Sequence, residues 1–365
     1  MSKNLLLVTG IFPPDIGGPA TYVPKLAEFL KNKGHKVQVL TLGSQWKYKR
    51  NADFTLVVIP RSYPKFIRIP ITALLIRLLS FQTDAIFANG LFEEVYLSGS
   101  LRKKISVAKV VGDPIWERYR NSRTNGIGIE GFQTLALPLR LQIQRKLLTA
   151  ALNHFSAITS PGKQLKEIVQ SWLISTNVTV IPNGVSCEKI MSETKEWDLL
   201  TVSRLVSWKN IDFVLRSVGD ENLRIGIIGA GPEERTLKNI AKGAAAQINF
   251  LGEIEGSQVP NFISKSKIFV QMSEYEGMSF ALLQAMMQGV AIVTSDASGN
   301  TNVIENGETG LVVKLGESEL FNKVIKTLIN DGGLRCEIGK KARNQALANY
   351  CQEKQLGKMG SLLGL

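Results

Sequence analysis

Short apolar runs alternate with longer, helix-patterned segments along the whole chain. Strands that are apolar throughout are typical of parallel sheets buried on both faces, and the helix-length segments between them supply the crossovers. The pattern therefore predicts an α/β protein built from doubly wound parallel sheets. The predicted strands lie in the runs NLLLVTGIF, KVQVLTL, FTLVVIP, DAIFANG, SVAKVVG, SAITSPG and VTVIPNG, then DLLTVSRL, LRIGIIGAG, INFLGEI, KIFVQMS, VAIVTSD and GLVVKL.

This periodicity lapses in one polar stretch, VSCEKIMSETKEW at residues 185–197. A chain of 365 residues is also long enough for two domains, each with its own core. We therefore predict an N-terminal domain of residues 1–186 and a second domain of residues 187–349. The helix predicted at residues 350–365 is a candidate to return to the first domain.

Neither the start of the chain nor its longest apolar segment has the features of an export signal or a membrane span. The start, MSKNLLLVTGIFPP, lacks a small-residue cleavage site and is typical of a first strand. The segment FIRIPITALLIRLLSF at residues 66–81 is interrupted by charge and is shorter than the roughly 20 apolar residues of a spanning helix. Its apolar positions recur around most of the helix, which predicts a core helix.

The cysteines Cys187, Cys336 and Cys351 are odd in number and widely spaced, and no two of them form a CxxC motif. This pattern predicts neither a disulfide framework nor a zinc site. A reducing cytoplasm is the compartment that fits it.

The formal net charge of +13 belongs to the first half of the chain. Residues 1–186 contain 24 Lys and Arg against 10 Asp and Glu, whereas residues 187–365 contain 20 against 21. Such asymmetry indicates an anionic partner, and a solvated basic surface is the alternative. Basic clusters beside Tyr63, Phe66 and Ile67 favour peripheral contact with an anionic membrane. Nucleic acid is disfavoured, because there is no reader motif and no interleaving of exposed aromatic residues.

Several kinds of chemistry lack the residues that they require. His35 and His154 are the only histidines, so a Ser-His-Asp triad or a histidine-ligated metal site is hard to build. There is no GxxxxGK[ST] loop and no DxD pair, and the glycines of GIIGAGPEE do not complete GxGxxG. Kinases and nicotinamide-dependent dehydrogenases are therefore disfavoured, and neither a metal nor a cofactor is predicted.

The strongest candidate residues follow strands of the second domain, where ligands of doubly wound sheets bind. Arg204 and Lys209 follow its first strand and suit a diphosphate, because an arginine fork matches phosphate oxygens and lysine is a compact cation. Gly229 and Gly231 would let a backbone approach a ligand closely, and a tight turn is the alternative. The helix that Ser279 opens would add free N–H groups for an anion.

The order of several motifs resembles that of a known family. The first is GIFPPDIGGPATYVPKLAEFLKNKGHKVQVLT, and the later ones are SRLVSWKN, GAGPEE, FLGEI, EGMSFALLQAM and GNTNVIENGETGLVV. This order is similar to that of glycosyltransferase family 4, the retaining nucleotide-sugar enzymes with the GT-B fold. The resemblance extends over nearly the whole chain and implies two Rossmann-like domains that face a cleft.

The resemblance also implies donor-binding residues. In the family, the first carboxylate of a Glu-x7-Glu motif contacts sugar hydroxyls and the second contacts the ribose. Here Glu276 matches the first position, and Gln284 stands at the second. A neutral amide accepts hydrogen bonds less strongly than a carboxylate, so ribose binding is expected to be weakened or altered. The sugar or distal phosphate would meet the backbone N–H groups of Gly277, Met278, Ser279 and Phe280.

In the first domain, Gly17 and Gly18 stand where the family brings its N-terminal loop against the donor phosphates and the acceptor. They also suit a rigid turn, which is the alternative. Many members carry a histidine after the fifth strand, whereas this chain has Gly112 and Asp113. Asp113 is the candidate to accept a hydrogen bond from a sugar hydroxyl or to orient the acceptor, and capping of the turn at Pro114 is the alternative.

The expected function is retaining, metal-independent transfer of a hexose-type sugar from a nucleotide diphosphate sugar to a glycan or lipid-linked acceptor. The product would belong to an envelope or surface polysaccharide, and the place would be the cytoplasm, at the inner face of the membrane. The candidate catalytic residues are Arg204, Lys209, Glu276 and Asp113. A non-catalytic module that binds a nucleotide sugar or glycan is the alternative, because Gln284 and Gly112 depart from the family pattern.

Overall fold

A computed structural model describes residues 2–51, 54–121, 126–174, 176–187, 189–192, 194–218 and 222–365. The chain forms two compact units, one of Met1–Pro182 with Glu353–Leu365 and one of Asn183–Gln352. Each unit is built on a sheet of mainly parallel strands with helices between them. The prediction of two doubly wound α/β domains is confirmed.

The first unit contains one sheet of eight strands: β1 (Asn4–Thr9), β2 (Lys36–Gly43), β3 (Lys47–Arg50), β4 (Phe54–Pro60), β5 (Ala85–Asn89), β6 (Ile105–Lys109), β7 (Ala157–Ser160) and β8 (Val178–Val180). Their order is β3-β4-β2-β1-β5-β6-β7-β8, and β3 pairs with β4 in the antiparallel sense. Its helices are α1 (Gly18–Asn32), α2 (Lys65–Ser80), α3 (Phe92–Leu97), α4 (Pro114–Asn121), α5 (Ile129–Gln133), α6 (Leu139–Leu152) and α7 (Lys163–Trp172).

The second unit contains one sheet of six strands: β9 (Trp197–Val202), β10 (Arg224–Ile228), β11 (Gln247–Gly252), β12 (Ser266–Gln271), β13 (Ala291–Ser295) and β14 (Leu311–Val313). Their order is β11-β10-β9-β12-β13-β14. Its helices are α8 (Ile211–Ser217), α9 (Glu234–Ala241), α10 (Val259–Ser264), α11 (Phe280–Met287), α12 (Ser298–Thr301), α13 (Ser318–Asn330) and α14 (Gly332–Asn349).

Both faces of the second sheet are buried, which explains its continuously apolar strands. Successive strand residues point to opposite faces of a sheet. Leu199 and Ile268 accordingly belong to one apolar cluster, whereas their neighbours Leu200 and Phe269 belong to another. A last helix, α15 (Gln352–Leu362), leads the chain back to the first unit, where Lys3 Nζ donates to Gly364 O at 2.6 Å.

The prediction that the helix over residues 66–81 lies in the core is wrong. α2 forms there, but it buries only one face, through residues such as Thr72 and Ile76, and leaves Leu74 and Leu78 exposed. An outer helix of a layered domain packs on one side only, so apolar residues around its whole circumference are not all covered. Among the described residues, no helix combines the length and the apolar character needed to cross a membrane.

The expectation that the cysteines form no disulfide is also wrong. Cys187 and Cys351 are joined, with their Cα atoms 5.7 Å apart, although 164 residues separate them in the sequence. The segment after Asn183 lies beside the end of α14, where Val185 N donates to Tyr350 O at 2.9 Å. Tertiary pairing therefore brings the two sulfurs together, and Cys336 is an exposed free cysteine.

Candidate functional site

The strand order of the second unit has a topological switch point beside its central strand, where successive strands change from one side of that strand to the other. β10 and β11 lie on one side of β9, and β12, β13 and β14 lie on the other. Ligands of doubly wound sheets bind beyond the carboxyl ends of the strands at such a point. Arg204 and Lys209 follow β9, and Glu276 follows β12, so the topology brings three predicted residues to one edge of the sheet.

Lys209 and Glu276 form an ion pair at this edge. Lys209 Nζ contacts Glu276 Oε1, and only 14% and 12% of the two side chains are exposed. Ser273 Oγ donates to the same carboxylate oxygen at 2.8 Å. The predicted cation and the predicted carboxylate are therefore held in contact, and the carboxylate has a second donor.

Two hydrogen bonds join the two loops that carry this pair. A short 3-10 turn ends with Lys209 and is followed by Asn210, which has a positive φ of 50°. Asn210 Nδ2 donates to Met272 O at 3.1 Å, and Glu274 N donates to Trp208 O at 2.8 Å. Because both bonds cross from the loop after β9 to the loop after β12, they hold together the two loops from which Lys209 and Glu276 extend.

Behind the ion pair, a chain of buried polar side chains leads to the start of α11. Ser279 Oγ donates to Gln271 Oε1 at 2.7 Å, and Gln271 Nε2 donates to Asn300 Oδ1 at 2.7 Å. Asn300 Nδ2 donates to Ser295 Oγ at 2.9 Å, and Ser295 Oγ donates to the carbonyl of Ser273. A buried network whose members are paired with one another is rigid. It supports the loop that carries the carboxylate. Ser279 and Asn300 belong to motifs of the family resemblance, but their hydrogen bonds to Gln271 were not predicted.

Gly299, the first residue of the motif GNTNVIENGETGLVV, is a residue of the site that was not among the predicted site residues. A Cβ atom at this position would lie 1.8 Å from the carbonyl oxygen of Glu276 and 2.8 Å from its Cβ. Only a residue without a side chain lets α12 approach the Glu276 loop this closely. Gly299 therefore allows α12 to pack directly against the backbone that carries the Glu276 carboxylate.

The start of α11 offers backbone N–H groups to a ligand. Ser279 caps the helix, because its Oγ accepts from Leu282 N at 3.2 Å. Unpaired N–H groups at a helix N-terminus attract anions. Within the part of the chain that the structure describes, no acceptor is found for the N–H groups of the predicted turn, Gly277, Met278, Ser279 and Phe280.

Other contacts fix this turn and the helix that follows it. Asn183, which the sequence analysis did not single out, is buried, and its Nδ2 donates to Met278 O at 3.0 Å. The Phe280 ring packs against the apolar cluster under α11. Gln284 is half-buried on α11, and its side chain has no hydrogen-bond partner among the described residues. Its contact with a ribose stays a prediction.

Arg204 is exposed on the loop after β9. Its guanidinium carbon lies 5.9 Å from the ring centre of Trp208. Arg204 has no ion pair among the described residues, in contrast to Lys209. An anion that entered the switch point would therefore meet one unpaired cation and one that is already paired with a carboxylate.

Gly229 and Gly231 bring the loop after β10 against the loop that carries Arg204. Gly229 has a φ of 130°, and a Cβ there would lie 1.9 Å from Ser203 O. A Cβ at Gly231 would lie 2.3 Å from Leu205 O. Close packing of the two loops therefore requires both glycines, and their approach to a ligand stays a prediction.

Asp113 is fully buried in the first unit at the start of α4. Its Oδ1 accepts from Ile115 N at 2.9 Å and from Trp116 N at 3.2 Å. Its Oδ2 accepts from Gln133 Nε2 at 3.1 Å and pairs with Arg145 Nη2 at 2.5 Å. The capping alternative is therefore present in the structure, and contact of Asp113 with a sugar or acceptor stays a prediction.

Gly17 and Gly18 lie at the start of α1, after the loop that follows β1. β1 is the switch point of the first sheet, because β2 and β5 lie on its two sides. Gly17 has a φ of 149°, and a Cβ there would lie 2.8 Å from Ile11 Cδ1, whereas a Cβ at Gly18 would meet no atom within 4 Å. The turn therefore requires Gly17, and contact of either glycine with a donor stays a prediction.

Lys109, at the end of β6, is fully buried and was not among the predicted residues. Its Nζ donates to Ile181 O at 3.1 Å and lies 4.5 Å from the ring centre of Tyr22. Burial lowers the pKa of Lys109 to about 7 and raises the pKa of Tyr22. A single lysine inside the apolar run SVAKVVG gives no sequence signal that would separate it from a surface lysine.

Comparison with known proteins extends over almost the whole chain. The model of Glycosyltransferase Family 4 matches residues 16–189, and the model of Glycosyl transferases group 1 matches residues 186–345. An uncharacterized glycosyltransferase of Methanocaldococcus jannaschii is 27% identical over 230 residues, 58% of each protein. The matched part of this chain therefore spans little more than half the length of that relative.

A second relative matches nearly end to end. It is the GDP-mannose-dependent monoacylated alpha-(1-6)-phosphatidylinositol monomannoside mannosyltransferase of Corynebacterium glutamicum, 22% identical over 388 residues, with 96% of this chain and 95% of that protein covered.

Among solved structures, HepE of Anabaena in complex with UDP and glucose has a TM-score of 0.77 at 15% identity, with 99% of each chain covered. This match confirms the predicted GT-B architecture. The two family models and this architecture together show that the protein belongs to the GT-B glycosyltransferases of the family 4 type.

Proposed function

We propose that the protein is a retaining, metal-independent hexosyltransferase that uses a nucleotide diphosphate sugar as donor and needs no further cofactor. Its acceptor is a glycan or a lipid-linked sugar of an envelope or surface polysaccharide. The observation that carries the proposal is the Lys209–Glu276 pair beside the unpaired N–H groups at the start of α11. Cations and N–H groups suit a diphosphate, and a carboxylate suits sugar hydroxyls.

In this proposal the donor diphosphate lies at the start of α11, and Arg204 and Lys209 are its cationic partners. When the Lys209 ammonium donates to a phosphate oxygen instead of to Glu276, the Glu276 carboxylate can accept hydrogen bonds from the sugar hydroxyls. Negative charge grows on the diphosphate as the bond to the sugar breaks. Cations and dipoles that are already in place therefore stabilise the transition state more than the bound donor.

We assign the acceptor's proton to the leaving phosphate. The acceptor O–H bond breaks as its oxygen bonds to the sugar carbon, and a phosphate oxygen on the same face of the sugar takes the proton. The two histidines of the sequence have other contacts: His35 Nδ1 accepts from Lys3 N at 3.1 Å, and the centre of the His154 ring lies 4.6 Å from that of the Tyr96 ring.

Neutralisation of the diphosphate by side chains alone is the second part of the proposal. Within the described residues, no three His, Cys, Asp or Glu side chains are gathered as a metal site would require. Arg204 and Lys209 provide two positive charges at the same edge of the sheet, which is the charge that a divalent ion would supply. This arrangement supports metal independence.

The comparisons support the classes of donor and acceptor. The name of the corynebacterial relative specifies GDP-mannose and a phosphatidylinositol mannoside, and HepE was solved with UDP and glucose. By similarity, we propose a nucleotide-linked hexose as donor and a lipid-linked sugar as one class of acceptor. A lipid-linked acceptor would bring the enzyme to a membrane surface, and we propose the cytoplasmic, inner face.

A non-catalytic module that binds a nucleotide sugar is the second candidate. Gln284 favours it, because the carboxylate that the family uses for the ribose is replaced by an amide. The engaged carboxylate of Asp113 favours it as well, since both of its oxygens already have donors. Such a module would hold the donor without releasing nucleoside diphosphate.

Thermal shift with UDP, GDP, ADP and their sugar conjugates identifies the donor, and release of nucleoside diphosphate with lipid and glycan acceptors measures transfer. Arg204→Ala should lower turnover about 100-fold or more if the guanidinium contributes a few kcal/mol to the transition state. Arg216→Ala, at an exposed arginine of α8 in the same unit, is the matched control and should keep full turnover. Unchanged turnover in Arg204→Ala would refute the assignment, and donor binding without release would favour the module.

A further inference from the structure

A disulfide joins the two ends of the second unit. The chain enters this unit at Asn183 and leaves it at Gln352. Cys187 follows the first of these positions by four residues, and Cys351 directly precedes the second. Their Cα atoms lie 5.7 Å apart. The bond therefore holds the entering segment, residues 183–187, against the residues that follow α14.

Backbone pairing joins the same two segments. Val185 N donates to Tyr350 O at 2.9 Å, and Gln352 N donates to Val185 O at 2.9 Å. Val185 and Tyr350 are buried in the apolar cluster under α11, whereas Cys187 is exposed and Cys351 is half-buried. The disulfide is therefore the accessible part of an otherwise buried junction, and a small thiol can reach it.

The entering segment also contacts the turn that leads into α11. Asn183 is buried and donates twice to Met278. Its Nδ2 donates to Met278 O at 3.0 Å, and its backbone N donates to Met278 Sδ at 3.2 Å. Met278 belongs to the turn at residues 277–280, whose N–H groups we propose as ligands of the donor. The disulfide thus lies four residues along the chain from a direct contact with this turn.

Binding of a diphosphate at this turn depends on where its N–H groups point. Hydrogen bonds keep their strength only within narrow limits of distance and angle, so a displaced turn binds the diphosphate less well. A disulfide that holds a binding loop in its bound conformation increases affinity, because less ordering is then needed on binding. Opening the Cys187–Cys351 bond should therefore weaken nucleotide binding.

We propose that Asn183 positions the turn at residues 277–280, and that reversible reduction of the Cys187–Cys351 disulfide regulates donor binding through it. The inference rests on the proposed function, which assigns the donor diphosphate to this turn and the protein to the cytoplasm. Disulfides of cytosolic proteins are usually transient and redox-sensing rather than permanent. An accessible bond beside a donor-binding turn fits that role.

The reductant in this proposal is a dithiol. One of its thiolates attacks a sulfur of the disulfide, the S–S bond breaks, and a mixed disulfide forms while the other cysteine leaves as a thiolate. The second thiolate of the reductant then displaces the bound cysteine. The protein gains two electrons and two protons as a pair of thiols, and the reductant leaves as a cyclic disulfide.

Calorimetric titration with UDP, GDP and ADP compares the oxidised protein with the protein reduced by dithiothreitol, at a temperature at which both are folded. Reduction should weaken binding about 2- to 10-fold, which is the range that one net hydrogen bond supplies. Cys187→Ser/Cys351→Ser should bind as the reduced protein does, with or without dithiothreitol. Alkylation followed by mass spectrometry establishes the thiol state of each sample.

Two further variants separate the disulfide from other effects of the reductant. Cys336→Ser is the matched control, because it removes the exposed free cysteine and leaves the disulfide in place. It should lose affinity on reduction as the unchanged protein does. Asn183→Ala should weaken binding and remove most of the difference between the two states, since the contact that carries the effect is lost.

Amide hydrogen exchange tests the coupling in the absence of nucleotide. Leu282 N donates to Ser279 Oγ at 3.2 Å, and Leu283 N donates to Ser279 O at 3.2 Å, so both amides report on the turn. Reduction should raise their exchange rates at least about threefold, because a less restrained turn opens more often. The amides of β10 are the control and should exchange at the same rates in both states.

Equal nucleotide affinity and equal exchange in the oxidised and reduced forms would overturn the proposal, even if reduction lowers the melting temperature, because the disulfide would then be only structural. A loss of affinity that Cys336→Ser prevents would overturn it as well, and so would a chain whose Cys187 and Cys351 stay free under oxidising conditions. Exchange that rises on reduction in a protein that binds no nucleoside diphosphate would support the coupling and contradict only the proposed function.

Discussion

Glu276→Gln tests the centre of the site with almost no change in side-chain volume. The carboxylate accepts from Lys209 and from Ser273, and only 12% of the side chain is exposed. A hydrogen bond to a charged group contributes about 1.5–3 kcal/mol, and the amide also leaves a mostly buried ammonium without its counterion. The variant should therefore lose about 1.5–3 kcal/mol of unfolding free energy, measured by chemical denaturation.

A double-mutant cycle with Lys209→Met separates the pair from its surroundings. The double variant should lose less stability than the sum of the single variants, with a coupling of about 0.5–3 kcal/mol. The matched control is the exposed pair of Lys238 and Glu234 on α9, whose side chains are 52% and 38% exposed. Its cycle should give no more than about 0.5 kcal/mol.

The same variants separate stability from donor recognition. Because Glu276 competes with the donor diphosphate for Lys209, Glu276→Gln should bind nucleoside diphosphate at least as tightly as the unchanged protein. Its turnover should fall about 10- to 150-fold, which corresponds to the same 1.5–3 kcal/mol lost at the sugar. Lys209→Met should weaken nucleoside diphosphate binding by a similar factor in calorimetric titration. Unchanged turnover in Glu276→Gln together with weaker nucleotide binding would refute these roles.

Three further changes test single features. Gln284→Glu restores a carboxylate at the predicted ribose position and should tighten nucleoside diphosphate binding about tenfold in calorimetric titration; unchanged affinity would place the ribose elsewhere. Gly299→Ala should lower turnover, because its Cβ would lie 1.8 Å from the carbonyl oxygen of Glu276 and must displace that loop. Gly256→Ala, with no atom within 4 Å of the added Cβ, is its control and should keep full turnover. Burial lowers the pKa of Lys109 from its ordinary value of 10.5 to about 7, so the unfolded chain binds more protons between these pH values. The unfolding free energy should therefore rise with pH above about 7, by at most about 1.4 kcal/mol per pH unit from this group, and Lys109→Met should flatten that rise. An equal rise in the variant, measured by denaturation across this range, would contradict the assignment.

The buried strands could be predicted because burial on both faces leaves a direct mark on the sequence. In β1, Leu5 to Val8 are fully buried, and the run NLLLV shows this as unbroken apolar residues. The edge strand β3 could not be predicted in the same way. Its KYKR residues are all exposed, and it is held by antiparallel backbone pairing with β4, which requires no apolar side chain.

Burial of α2 shows where periodicity fails. The apolar character of a residue such as Leu74 does not tell whether its side chain packs in the core or is exposed at the surface, where this one lies. The Cys187–Cys351 disulfide was missed for a related reason, because its geometry depends on pairing between Val185 and the segment after α14. Neither property is local in sequence.

The edge of the sheet that carries the candidate site could be predicted, because the loops that follow parallel strands all lie at the carboxyl ends of those strands. Arg204, Lys209 and Glu276 were identified from that rule and from the family resemblance. The contacts among them could not be predicted, since the Lys209–Glu276 pair spans 67 residues. The supporting network of Gln271 and Asn300 looks in the sequence like ordinary polar residues at strand and helix ends.

The most direct test of the central claim is a crystal structure with the nucleoside diphosphate that raises the melting temperature most. We expect a phosphate oxygen within about 3 Å of Lys209 Nζ and of an N–H group at the start of α11. Glu276 should then have exchanged Lys209 for the sugar or for solvent. A nucleotide bound away from the edge between β9 and β12, with the Lys209–Glu276 pair intact, would contradict the account.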